Sequence, residues 1–128
     1  MKLRAQREGL AIPATIATVE AKDTLMAITG NRTVGKAGAN GEVIGRLSVP
    51  ARAVNGIGTI ETKFKELVEI KTGGALAAGV KVKLAAVDGT TGENVVTTWV
   101  SGTDGYALLY GIVWNGTAGV GVAEVLAY

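Results

Sequence analysis

The chain has 128 residues, a net charge of +2, 48% hydrophobic residues, and neither cysteine nor histidine. That length suits one domain with a modest core, and the apolar fraction excludes a disordered tail. Without Cys or His there are no disulfides and no thiolate zinc sites, and the commonest general base and transition-metal ligand are missing; the net charge is too small to point to nucleic acid.

In chain order, the first nine residues place Lys2, Arg4 and Arg7 against Glu8. They are expected to form a basic arm (1–9) leading a single β domain (10–128), with a balance of +4 over residues 1–71 and −2 over 72–128. Glu8-Gly9 stands where the apolar run of an export leader would begin, so the mature chain is expected to start here. The longest apolar stretches, such as Tyr106–Trp114, are too short to span a membrane.

Turn signals recur along the chain at Gly30-Asn31, Asn40-Gly41, Asn55-Gly56, Gly73-Gly74, Asp88-Gly89, Asp104-Gly105 and Asn115-Gly116. Asn-Gly and Asp-Gly supply positive φ cheaply, so this rhythm predicts short strands joined by hairpins. Val68–Lys71 and Val80–Leu84 alternate cleanly. Asn94–Ser101 reads as a strand with Val95, Thr97 and Trp99 on one face. Glu42–Ser48 and Tyr106–Trp114 are near-continuous apolar runs, consistent with strands buried on both faces. In the tail, Val120, Val122, Glu124, Leu126 and Tyr128 share a face opposite Val125. Phe64–Val68 is the one stretch that predicts a helical turn. The fold class is therefore all-β, a compact sandwich or barrel of short strands.

The two halves look alike. Ala21–Met26 matches Ala78–Val82 at an offset of 57, Val43–Leu47 matches Leu109–Val113 at 66, and Asn55-Gly56 matches Asn115-Gly116 at 60. This predicts an internal repeat over 20–65 and 76–128.

Chemical motifs fail one by one. Gly30–Lys36 fits the start of a phosphate-binding loop, but Ala37 stands where Ser or Thr would hold magnesium, and Gly38-Ala39-Asn40-Gly41 prevents the helix that cradles phosphate. Asp88, Glu93 and Asp104 lie in or beside turns without EF-hand spacing, and are expected to cap their own backbone. Glu20, Asp23, Glu61, Glu66, Glu69 and Glu124 are candidates for paired-carboxylate chemistry, but those on strands sit at solvent-facing positions. Five of the six aromatics fall at Trp99 or later, and Trp99, Tyr110 and Trp114 are expected to anchor the core or a subunit contact. No catalytic residue, metal site or cofactor is expected.

Ala21-Lys22-Asp23-Thr24-Leu25, Val43-Ile44-Gly45-Arg46-Leu47, Ala77–Val82, Tyr106-Ala107-Leu108-Leu109 and Val122–Leu126 together resemble the small capsid cement, or decoration, proteins of tailed phages. The resemblance implies a structural virion protein on the outer capsid surface, made in the host cytoplasm. Such proteins form homotrimers that clamp neighbouring major capsid protein subunits, with no catalysis and no nucleic-acid or membrane partner. Lys2, Leu3, Arg4 and Arg7 of the arm, then Leu10 and Ile12, are the expected partner contacts. The alternative is a non-catalytic surface module of a virion or bacterium, binding carbohydrate or a host surface through exposed aromatics. A small carboxylate enzyme is a third possibility, which needs two acids converging in a cleft.

Overall fold

The computed structural model describes residues 10–62 and 66–128 in full and residues 2–6 as backbone. Among the described residues eleven strands carry nearly all the regular structure, with one 3-10 turn at Tyr106–Leu108. Ten of these strands form two five-stranded barrels in succession. The first contains β2 (Ala11–Ile16), β3 (Leu25–Gly30), β4 (Thr33–Lys36), β5 (Gly45–Val49) and β6 (Gly56–Thr62), closed in the order β2-β4-β3-β5-β6. The second contains β7 (Glu66–Thr72), β8 (Lys81–Leu84), β9 (Val95–Thr98), β10 (Gly111–Asn115) and β11 (Gly121–Ala127), in the order β7-β11-β10-β8-β9 with β9 returning to β7. Closure removes the open edges that short, apolar strands would otherwise expose.

The barrels share one topology, strand for strand. Each has a single parallel contact, Thr15 beside Thr33 and Ile16 beside Val34 in the first, Lys71 beside Val95 and Thr72 beside Val96 in the second. Met26 pairs with Gly45 as Val82 pairs with Gly111. The last hairpin of each slips register at the same place, between Leu47 and Val49 and between Val113 and Asn115. Asp23 and Gly79, each three residues before the matched Met26 and Val82, both take positive φ (70° and 86°).

These registers refine the repeat. Met26 and Val82 are 56 apart, so the first match is one residue shorter than the sequence suggests. Gly45 and Gly111 keep the offset of 66. The Asn-Gly match at 60 does not survive, because Glu61 and Leu126 are the paired equivalents and set that offset at 65. The spans 20–65 and 76–128 each omit the first strand of a barrel, β2 and β7. The helical turn expected at Phe64–Val68 is also corrected. Glu66–Val68 runs as β7 against β11, while Phe64 and Lys65 lie outside the described residues. Of the long Tyr106–Trp114 run only Gly111 onward is strand, as the start of β10. In β9 the buried residue is Val96, on the face opposite Val95 and Thr97, and Trp99 follows the strand end.

Gly45 and Gly111 show why glycine interrupts both apolar runs. A Cβ at either would collide with a carbonyl of the neighbouring strand, Glu61 in the first barrel and Leu126 in the second. Strands can draw this close only where there is no side chain. Gly45→Ala and Gly111→Ala are each expected to cost about 1–3 kcal/mol through overpacking. Urea unfolding of the two variants tests this, and two wild-type midpoints would refute it.

The first barrel encloses Ala14, Ile16, Met26, Val34, Leu47, Ala51 and Ile60. The second encloses Val68, Ile70, Val82, Leu84, Val96, Tyr110, Val113 and Val125, and its core is completed by Leu25, Ala37 and Val43 of the first. The two barrels therefore pack directly, through the outside of one and the mouth of the other.

Residues Lys2–Gln6, expected to lie in an arm, form strand β1 along β7, with Lys2 beside Glu69 and Gln6 beside Glu66. Strand β9 reaches only Lys71 and Thr72 of the same edge, so β1 extends the pairing where β9 stops.

Candidate interaction surface

The most built-up polar arrangement lies at the junction of the barrels. Arg46, on β5 beside Leu25, is buried. Its Nε donates to Glu66 Oε1 at 2.9 Å and its Nη1 to Asp23 Oδ1 at 3.0 Å. Glu66 opens β7 and is buried, and its Oε2 has no hydrogen-bond partner among the described residues. Burial pushes the Glu66 carboxyl above its ordinary range, outweighing the opposing pull of Arg46. Nearby, Asn94 accepts the Leu25 amide at 3.0 Å and donates to the Ala37 carbonyl at 3.1 Å, while the Asn40 amide donates to the Leu84 carbonyl at 3.1 Å. Lys36 donates to the Gly92 carbonyl. These groups tie the barrels together, with Glu66 and Asp23 sharing Arg46 between them. The Tyr110 phenol, in the same core, is pushed well above its ordinary range by burial. A polar cleft of about 260 Å³ opens at this seam, between Glu20–Thr24 and Thr91–Asn94.

The acidic turn residues are held by lysines and by their own backbone. Asp88 Oδ1 accepts the Thr90 and Thr91 amides at 2.8 and 2.9 Å, and Lys71 bridges Asp88 and Glu93 at 3.2 and 2.6 Å. The Asp88 carboxyl falls to about 2, first because of the backbone hydrogen bonds and then because of Lys71. Asp104 sits apart from that group. It pairs with Lys83 at 2.6 Å and accepts the Val100 amide at 2.7 Å. No group of three or more acids is placed to hold a metal ion among the described residues. Gly30–Lys36, the phosphate-loop look-alike, is the β3–β4 hairpin, with Arg32 at positive φ in its turn.

The aromatics divide. Tyr110 and Trp99 are buried, and Trp99 Nε1 donates to the Gly105 carbonyl at 2.9 Å. Tyr106 lies 5.4 Å from the Trp99 ring centroid and is 78% exposed, and Trp114, expected at an anchor, is 63% exposed.

The mouth of the first barrel is a second surface feature. Ile12, Ala14, Ile28, Val34, Ile44 and Ile60 line an apolar groove of about 180 Å³. Ile28 is 67% exposed although it faces Val34 across the β3–β4 pair. Sequence reasoning missed Ile28 because its short strand carries no clean alternation. It missed Arg46 and Glu66 as partners because they lie in different halves, although a charge inside the apolar run Val43–Leu47 was a usable signal.

Of the expected contact residues, Lys2, Leu3 and Arg4 lie on β1, Arg7 lies outside the described residues, Leu10 is exposed, and Ile12 is half-buried at the groove.

The fold thus defines a class: an all-β protein of two closed barrels that share one topology. No protein-family model matches the chain, and no curated protein does. Among solved structures, it is similar to the N base of the head fiber protein gp8.5 of bacteriophage phi29, with a TM-score of 0.56 and 11% identity, over 93% of each chain.

Proposed function

We propose that this protein is a non-catalytic structural component of a phage virion, attached to the outer capsid surface as a homotrimer that steadies contacts between major capsid protein subunits. The observation that carries this reading is the full-length likeness of the fold to a phage head fiber base. The architecture supports it. Two closed barrels give a rigid unit, and rigid units repeated over a lattice gain strength from many modest contacts. Lys2, Leu3, Arg4 and Arg7 are assigned to capsid contact, where the basic side chains would steer the protein toward an acidic surface.

The test is binding of purified protein to capsids that lack it, read by cryo-microscopy. Because β1 pairs with β7, deleting the arm would disturb the second barrel as well. The informative variant is Lys2→Gln/Arg4→Gln/Arg7→Gln, which removes the charges without setting a carboxylate beside Glu69. It is expected to keep the wild-type melting temperature and to lose capsid occupancy at least tenfold at physiological salt. Wild-type occupancy would sink the arm assignment, and failure of the unaltered protein to decorate capsids would sink the function. A carbohydrate-binding surface is the second reading, supported by the exposed Trp114 and Tyr106, while Trp99 is buried and takes no part in stacking; a glycan array without hits would remove it.

A further inference from the structure

The contact between the two barrels is one-sided. The first barrel presents the outside of β3 and β5 and the loop after β4, through Leu25, Ala37, Asn40, Val43 and Arg46. The second presents its mouth, through Glu66, Leu84, Asn94 and Tyr110. Both barrels share one topology, so each also carries the surface that the other uses. The first barrel has a mouth, where Ile28 is exposed, and the second has an outer face, where Lys81 and Gly102 are exposed and Trp99 is buried beside the chain's own Tyr106.

The matching positions follow from the paired registers. At the mouth, Leu10, Ile28 and Ile44 of the first barrel stand where the second has Glu66, Leu84 and Tyr110. Leu84 is 1% exposed and Ile28 is 67% exposed, so the equivalent site is sealed in one barrel and open in the other. On the outer face, Lys81, Trp99, Gly102, Leu109 and Ile112 of the second barrel stand where the first has Leu25, Ala37, Asn40, Val43 and Arg46. The loop itself is repeated. Gly41 N donates to Gly38 O as Thr103 N donates to Val100 O, and Asn40 and Gly102 both have positive φ.

One pair of substitutions is matched across the two surfaces, while the Leu25–Asn94 contact corresponds to two cations, Lys81 and, at the edge of the groove, Arg32. Inside the chain, Arg46 meets Glu66. The residues at those two positions on the other outer face and mouth are Ile112 and Leu10. Both members of a buried ion pair have become apolar together, as two surfaces that meet one another would require; a lone isoleucine against a charge would not pack. The second barrel's outer face also carries an insertion, the Tyr106–Leu108 turn, which holds Tyr106 out in solvent.

We infer that the mouth of the first barrel binds the outer face of the second barrel of another copy, repeating between chains the contact made within each chain. The occupant of the Ile12–Ile28–Ile44 groove is a second copy, with Tyr106 its exposed aromatic anchor. Such a contact is heterologous, so copies join head to tail. Three copies closing on themselves would place six similar barrels in a ring. The inference stands apart from capsid attachment, which the decoration experiment measures separately.

Native mass spectrometry of the full-length protein tests it. The wild type is expected to be oligomeric. Ile28→Asp and Tyr106→Asp alter exposed side chains, so both are expected to keep the wild-type circular dichroism spectrum while running as monomers. Mixing the two variants should then give a 1:1 heterodimer, because one unaltered mouth and one unaltered face remain between them. A monomeric wild type, oligomers that survive either substitution, or a mixture that stays monomeric would each overturn the proposal.

Discussion

Replacing Arg46 with methionine is expected to destabilise the protein by about 3–5 kcal/mol, the usual consequence of stranding a buried charge by removing its partner. Glu66 would keep its burial and lose the guanidinium that donates to Oε1 at 2.9 Å. Asp23, which is only half-buried, would lose its hydrogen bond at 3.0 Å and rehydrate. Total stabilities of folded domains lie near 5–15 kcal/mol, so the effect would bring the fold close to its limit. The double variant Arg46→Met/Glu66→Leu is expected to recover most of the loss, since an apolar pair of similar volume often equals a buried ion pair. Denaturant unfolding of both variants decides the matter. A single variant as stable as the wild type, or a double variant no better than the single, would show that the pair does not act as argued.

The second large effect separates two equivalent positions. Leu84→Ala is expected to cost about 2–5 kcal/mol, because Leu84 is sealed in the second core and its removal leaves a cavity. Ile28→Ala, the same truncation at the matching site, is expected to change stability by no more than about 0.5 kcal/mol in the separated chain, because Ile28 is mostly exposed there. The comparison is made under dilute conditions by urea denaturation. Equal losses at the two sites would mean that the mouth of the first barrel is as closed as that of the second.

Much of the fold was legible because β-structure writes itself in short-range signs. Period-two alternation at Val80–Leu84 and in the Val120–Tyr128 tail placed strands and their faces correctly. Gly45 and Gly111 were recognised as matching interruptions, and their common close approach to a neighbouring carbonyl explains why. The parallel contacts that close each barrel were not legible. They join Thr15 to Thr33 and Lys71 to Val95, and no local pattern encodes a contact over such distances. The same limitation hid β2 and β7 from the repeat. Their residues differ too much between the halves, with Ala14 matching Ile70 and Pro13 matching Glu69. The junction was invisible for a further reason. Arg46, Glu66, Asp23 and Asn94 acquire meaning only when two barrels meet, and nothing in their neighbours along the chain announces it.

Pro13 sets the two barrels apart at one edge. The amides of Thr15 and Ala17 donate from β2 toward β4, to Arg32 and Val34, and Pro13 lies two residues earlier on that same edge. The matching stretch of β7, around Glu69, is the one that receives β1. A chain that carries the same barrel twice offers an incoming strand two nearly identical berths. Proline has no amide hydrogen to give, so this edge of β2 offers one donor fewer than the matching edge of β7. The two halves, alike in topology, thus differ by a single proton in what they offer an incoming strand.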